Sequence, residues 1–145
     1  MRRFQYPVTL TTEKRGGFTV RFADLPEAIT SGVDRPDALL QAADCLEEAI
    51  AGRIADGLEI PRPSPPRRNQ ALVTLPAPTA AKAALYLAMR EARIRNTELA
   101  RRLDCDEKEV RRMLDPRHPT KLPRIQQALE ALGKRLVVSM DEQAA

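Results

Sequence analysis

The residues best suited to chemistry in this sequence are three cations near its carboxyl end, Lys108, Arg111 and Arg112. On an α-helix, side chains three and four residues apart share a face. An arginine can donate two hydrogen bonds to the edge of a guanine, and a lysine can contact a base or hold a phosphate. The spacing therefore predicts a helix whose basic face enters the major groove of duplex DNA.

Two short helices and a tight turn are predicted to position that face. The first begins at Asn96, which we expect to cap it, and contains the small Ala100, which lets a second helix approach closely. The second opens at Asp106, with Glu109 three residues later as in a capping box. The turn position that usually holds glycine is Asp104, a residue type that tolerates left-handed dihedral angles. The pattern predicts a helix-turn-helix; a helical hairpin with a solvated basic face is the alternative.

Donors at helix ends are candidates for contacts with DNA phosphates. They are Asn96 and Thr97 at the start of the first helix, and Lys121 ahead of a last helix over residues 123–132. The single histidine, His118, lies in a proline-stiffened loop, so we expect a surface or phosphate-proximal residue rather than a catalyst.

The apolar stretch Leu136–Met140 is predicted to be a short strand. A terminal strand in a helical domain leaves backbone groups unpaired. We therefore expect it to pair with the same strand of a second chain, and a homodimer suits an operator with two symmetric half-sites.

The amino-terminal part has the period-two alternation of β-strands. Strands are predicted over residues 4–10, 18–22, 29–33 and 71–75, and a helix with an apolar stripe follows the N-cap residue Asp34. A sheet and a helix with one apolar face each bury those faces by packing together. The predicted class is α+β, with an N-terminal antiparallel sheet and one packed helix before an all-α helix-turn-helix domain with a short C-terminal strand.

Proline and charge divide the chain in two. Six of the twelve prolines lie between Pro61 and Pro78 and predict a semi-rigid connector, so we expect domains over residues 1–76 and 77–145. Residues 1–60 contain 7 Lys/Arg against 10 Asp/Glu, whereas residues 61–145 contain 17 against 10. The basic part suits a polyanion such as nucleic acid, and the acidic part suits a basic protein.

Several function classes are not expected. Cys45 and Cys105 lack metal-ligand spacing and His118 has no second histidine, so neither a metal nor another cofactor is predicted. Both cysteines are expected to be small apolar fillers in a reducing cytoplasm. No apolar run approaches the roughly 18 residues of a membrane span, and the start of the chain lacks a signal-peptide pattern, so membrane and secreted classes are excluded and a cytoplasmic protein is predicted.

The run Phe18–Gly32, with the helix after it, resembles the amino-terminal signature of HicB-type antitoxins. The stretches Leu99–Leu103, Val110–Pro116 and Ala128–Gly133 are similar to the lambda-repressor-like domain that many of these antitoxins carry. The resemblance implies a truncated, ribonuclease-H-like first domain without nuclease activity, which binds and blocks a small HicA-type RNA-cleaving toxin. It also implies that the second domain binds the operator of its own operon, and that the protein dimerises through its carboxy-terminal portion.

Candidate toxin contacts are four acidic residues of the first domain, Asp24, Glu27, Asp34 and Asp37, of which the last two are also suited to capping the helix. Two other functions stay open. A ribonuclease-H-like nuclease needs several convergent carboxylates to hold its metal ions. The hairpin and helix of the first domain supply only Asp24 and Asp44 as candidates. A stand-alone regulator whose first domain senses a small ligand is the other; co-purification of a small basic protein would argue against it.

Overall fold

Residues 1–142, which the computed structural model describes, form one four-stranded sheet and five helices. The strands are β1 (Gln5–Thr12), β2 (Phe18–Phe22), β3 (Ile29–Gly32) and β4 (Ala71–Thr74). The helices are α1 (Arg35–Ala55), α2 (Ala77–Ala92), α3 (Asn96–Leu103), α4 (Glu107–Leu114) and α5 (Leu122–Ala131). The sheet is antiparallel, in the order β3-β2-β1-β4. The predicted α+β class, an antiparallel sheet ahead of a helix-rich part, is confirmed.

The sheet presents one apolar face to α1. Val8 lies opposite Phe22 and Tyr6 lies opposite Val73, so the bulky side chains of three strands share that face. The residues of α1 that are buried against it or beside it are Ala38, Ala42, Leu46, Ile50 and Ala51. The apolar face of the sheet and the apolar stripe of α1 therefore pack together, as predicted.

A glycine and two carboxylates set where α1 begins. The Asp34 side chain accepts a hydrogen bond from the Asp37 backbone N–H at 2.8 Å, and the Asp37 side chain accepts one from the Val33 N–H at 2.9 Å. The predicted cap at Asp34 is thus confirmed. At the end of β3, a Cβ on Gly32 would lie only 2.3 Å from the backbone nitrogen of Ala38. Glycine is required here because the helix crosses the strand in direct backbone contact.

The connector between α1 and β4 is anchored along its first half. Side chains from β1, α1, α2 and the amino terminus each donate a hydrogen bond to one of five consecutive backbone carbonyls. The donors are Arg90, Tyr86, Arg53, Arg2 and Tyr6, which bind the carbonyls of residues 57, 58, 59, 60 and 61 in that order at 2.6–2.9 Å. Since Tyr86 and Arg90 belong to α2, the connector ties the sheet to the helical part of the chain.

α2 is shared by two hydrophobic cores. Ala83 and Tyr86 pack in the sheet core, whereas Leu85 and Met89 pack in the core formed with α3, α4 and α5. The predicted boundary after residue 76 coincides with the start of α2, but that helix serves both sides of it.

The predicted strand over Leu136–Met140 is wrong for the single chain. Residues 134–142 form neither helix nor strand; Leu136 packs against the helical core, and Val137, Val138 and Met140 are exposed. A strand needs a partner for its backbone groups, and within residues 1–142 this segment has none.

Candidate nucleic-acid interface

α3 and α4 are joined by a turn whose geometry depends on Asp104. This residue adopts a left-handed conformation with φ 52° and ψ 51°. The next residue, Cys105, donates its backbone N–H to the Ala100 carbonyl at 3.0 Å and closes the end of α3. The predicted left-handed aspartate is confirmed, and the chain reverses sharply enough for the two helices to pack.

Buried apolar side chains fix the angle between the two helices. Leu99 of α3 and both Val110 and Met113 of α4 are completely buried, and the small Ala100 is 5% exposed. Helices α2 and α5 complete this core with Leu85, Ala88, Ile125 and Leu129. Because the core takes one side of α4, its opposite side is left for solvent or a ligand.

That opposite side carries the three predicted cations, all of them exposed. They differ in their partners. Arg111 donates to the Glu107 carboxylate one turn earlier at 2.8 Å. Lys108 and Arg112 make no side-chain hydrogen bond or ion pair with any residue in 1–142. Arg111 is therefore held along the helix, whereas Lys108 and Arg112 are free to bind an anion or a base.

The starts of α3 and α5 lack side-chain caps. The N-cap position of α3 is Arg95, and Asn96 is the first helical residue, so the expected cap at Asn96 is wrong. Thr97 is exposed in the first turn, and Lys121 is the exposed N-cap residue of α5. No side chain satisfies the first N–H groups of either helix in the described part of the chain. Uncapped helix N-termini favour phosphate groups.

The carboxylates of Glu98 in α3 and Glu109 in α4 form ion pairs with arginines of α3 and α5. Glu98 accepts from Arg101 at 2.6 Å and from Arg102 at 3.1 Å, and these hydrogen bonds hold its pKa below the usual value. Glu109 accepts from Arg124 at 2.6 Å, which lowers the pKa of Glu109 and links α4 to α5. These acidic groups are engaged, so they do not neutralise Lys108 or Arg112.

Two cations that the sequence did not single out flank the start of α3. Arg93 and Arg95 line a cleft of about 640 Å³ between the end of α1 and the α3–α4 pair, together with Asn96 and Arg117. Arg93 also ends α2 in a left-handed conformation, with φ 55°. The sequence could have indicated them by their position between α2 and α3. Basic side chains there can reach phosphates that bind at the start of α3.

The four candidate toxin contacts all have partners within the chain. Asp24 accepts hydrogen bonds from the backbone N–H of Ser64, at 2.9 Å, and from its hydroxyl group, and so holds the connector. Glu27 pairs with Arg53 at 2.6 Å. Asp34 and Asp37 cap α1. The structure places two of them in the β2–β3 turn and two at the start of α1, each with a role in the fold; a role in toxin binding stays a prediction.

The remaining candidate residues are placed as follows. Among residues 1–142 no group of three His, Cys, Asp or Glu side chains is arranged to hold a metal ion. Cys45 and Cys105 are half-buried, and burial raises the pKa of both thiols. His118 is half-buried, with Nδ1 3.3 Å from the Thr120 hydroxyl. In the described part of the chain, no helix combines the length and apolarity of a bilayer span.

Comparison with known proteins relates both parts of this fold to one family. Residues 5–84, which cover the sheet, α1 and the first turns of α2, match the family described as HicB_like antitoxin of bacterial toxin-antitoxin system. Antitoxin HicB of Escherichia coli (strain K12) is 38% identical over 136 residues, which are 94% of this chain and 99% of that protein. Antitoxin HicB 2 of Photorhabdus laumondii subsp. laumondii is 40% identical over 93% of this chain and 95% of its own length. Antitoxin HicB of Pseudomonas fluorescens (strain Pf0-1) is 32% identical over 95% and 94%. The chain therefore belongs to the HicB-like antitoxin family of bacterial toxin–antitoxin systems.

Proposed function

We propose that this chain neutralises a small, HicA-type RNA-cleaving toxin through its sheet domain and represses its own operon by binding operator DNA through α3 and α4. Membership of an antitoxin family supports a toxin as partner. The observation that carries the DNA-binding half is the exposed face of α4, where Lys108 and Arg112 lie without partners among residues 1–142 opposite the buried Val110 and Met113.

On DNA, α4 enters the major groove and its cations contact bases. Arg112 is the better candidate for a guanine because its planar guanidinium can donate two parallel hydrogen bonds. Arg111 is bonded to Glu107 through one guanidinium nitrogen, so its base contact would share the guanidinium with that ion pair. Asn96 and Thr97 at the start of α3, and Lys121 at the start of α5, contact phosphates on either side of the groove.

The test of DNA binding compares Arg112→Ala with Arg21→Ala, which removes an exposed cation from the sheet domain. The probe is a duplex of the promoter upstream of this chain's operon, titrated with full-length protein at fixed salt concentration. Arg112→Ala should weaken binding by about 1–3 kcal/mol, and Arg21→Ala should leave it unchanged. Equal affinities of wild type and Arg112→Ala would contradict the role of α4.

We place the toxin on the sheet domain, whose residues 1–60 contain 10 Asp/Glu against 7 Lys/Arg. Charge complementarity speeds and orients the docking of a basic, RNA-binding toxin. Co-expression with the product of the adjoining small reading frame should give a stable complex and protect the cells from the toxicity of that product. Arg112→Ala should protect equally well, because the changed residue lies on the other domain. Loss of both activities in a folded variant would contradict this division of labour.

The proposed assembly is a homodimer in which the segments Leu136–Met140 of two chains pair. Val137, Val138 and Met140 are 58%, 79% and 96% exposed, an unusual state for three apolar side chains in five residues. Pairing with a second copy would cover them and satisfy their backbone groups. Two recognition helices would then contact two half-sites.

A further inference from the structure

Apart from tyrosines, two polar side chains are buried in residues 1–142, and both lie in the first turns of α2. They are Thr79 and Lys82, each 2% exposed. Thr79 faces the sheet domain and donates its hydroxyl hydrogen to the Glu47 carboxylate of α1 at 2.7 Å. Lys82 faces the helical domain and has no carboxylate partner within the described residues.

The Lys82 ammonium lies inside a ring of oxygens at the carboxyl end of α4. Its Nζ donates to the backbone carbonyls of Arg112 at 2.9 Å, Asp115 at 2.6 Å and His118 at 2.5 Å. The Thr120 hydroxyl is a fourth acceptor at 2.9 Å. An ammonium has only three N–H donors, which these four acceptors share, so its hydrogen-bonding capacity is fully used.

Each of these three carbonyls also accepts a backbone N–H, from Asp115 at 3.2 Å, His118 at 3.0 Å and Thr120 at 2.9 Å, and Lys82 is a second donor to each of them. The last four carbonyls of any α-helix lack the N–H groups of a following turn. For Arg112 that N–H would come from Pro116, and proline has none. A positive charge at this position also complements the negative end of the helix dipole.

We propose that Lys82 is a positioning residue, which holds the carboxyl end of α4 and the following loop so that Arg112 is presented to the major groove. This inference rests on the proposed DNA binding. Lys82 contacts the backbone of the same residue whose side chain points outward without a partner. Its own backbone belongs to α2, which packs in both cores.

The chemistry of the site supports a positioning role over simple filling of space. An apolar side chain would fill the same volume without the desolvation that a buried charge suffers. That desolvation lowers the pKa of Lys82, and the nearby Asp115 carboxylate opposes the shift. The hydrogen bonds from Lys82 to the end of α4 offset the free-energy cost of desolvating its charge.

The test uses full-length protein with three substitutions. Lys82→Met removes the donors and keeps the volume. Thr79→Val is the matched control, since it removes a buried polar contact of the same turns of α2, on the side away from α4. Thr120→Val removes one acceptor from the half-buried loop and serves if Lys82→Met does not fold.

Two measurements separate positioning from stability. Hydrogen–deuterium exchange of the segment 107–120 in free protein reports on the end of α4 without DNA. The ratio of affinities for the promoter duplex and for a scrambled duplex of equal length reports on base reading, and overall loss of stability does not change this ratio below the melting temperature.

In Lys82→Met, segment 107–120 should exchange about tenfold faster, and the affinity ratio should fall about tenfold, with weak binding to scrambled DNA unchanged. Thr120→Val should shift both quantities in the same direction by a smaller factor, and Thr79→Val should shift neither. Wild-type exchange in a folded Lys82→Met, or in Thr120→Val if Lys82→Met is unfolded, would overturn the inference. Failure of wild-type protein to prefer its promoter would instead overturn the proposed DNA binding, which the exchange measurement does not depend on.

Discussion

Glu27 illustrates how single charged residues are used in the sheet domain. Two hydrogen bonds from the Arg53 guanidinium, at 2.6 and 2.9 Å, hold the pKa of the Glu27 carboxyl below its usual value of 4.5. The pair connects the β2–β3 turn to the last turn of α1. Because the Glu27 side chain is 45% exposed, water screens the attraction and the contribution to stability is small.

Glu27→Gln should lower the free energy of unfolding at neutral pH by about 0.5 kcal/mol. A lowered carboxyl pKa stabilises the fold above the unfolded-state value of 4.5, and that contribution is lost as the pH falls through the lower folded-state value. The difference between wild type and variant should therefore be largest at neutral pH and shrink progressively as the pH falls below 4.5. Urea unfolding at neutral pH and at a series of acid pH values measures it, with Glu59→Gln as a control for removal of a nearby exposed carboxylate. A difference that persists in acid would show that the ion pair is not the cause.

At the scale of elements, the contact between β3 and α1 depends on one residue without a side chain. A Cβ on Gly32 would lie 2.3, 2.4 and 2.9 Å from the backbone nitrogen, Cα and Cβ of Ala38. Two of these three atoms belong to the backbone of a helix that is packed along its length, so a side-chain rotation cannot relieve the clash.

Gly32→Ala should therefore destabilise the protein by about 3 kcal/mol, at the upper end of the range for overpacked cores. Gly52 provides the matched control, since it lies within α1 and a Cβ there would meet nothing within 4 Å. Gly52→Ala should stabilise the protein by about 0.5–1 kcal/mol through helix propensity. Thermal unfolding of the two variants should shift in opposite directions; a stable Gly32→Ala protein would mean that α1 can move away from the sheet.

At the scale of the whole molecule, the sheet and helical parts are tied together by shared contacts. α2 packs in both cores, and its Tyr86 and Arg90 hold the carbonyls of residues 57 and 58 in the connector. The segment 136–140, whose last four residues are exposed, lies beyond these ties and is the surface through which we expect two molecules to associate.

Removal of all residues after Gly133 should convert the proposed dimer to a monomer in analytical ultracentrifugation. Affinity for the promoter duplex should fall by at least about tenfold, since the second recognition helix is no longer held at an effective concentration near its half-site. Removal of residues 142–145 alone is the control, because it leaves the segment 136–140 in place. A dimeric protein lacking residues 134–145 would refute the pairing of these segments.

Local sequence patterns were sufficient to predict much of this fold. Strand alternation, the cap at Asp34, the left-handed Asp104 and the outward face of α4 each depend on residues close in sequence, whose backbone geometry and amphipathicity are decided locally. For the same reason, the resemblance to HicB-type antitoxins could be recognised before any contact was known.

Tertiary structure decided which groups are satisfied and which are free. Asn96 does not cap α3, and the stretch 136–140 is not a strand without a second chain to pair with. The partners of Asp24 and Lys82 lie 40 and 30 to 38 residues away, so no local pattern reveals them. Whether a charged side chain binds a ligand or its own fold depends on such distant contacts, because hydrogen bonding requires proximity in space and periodicity reports only on neighbours along the chain.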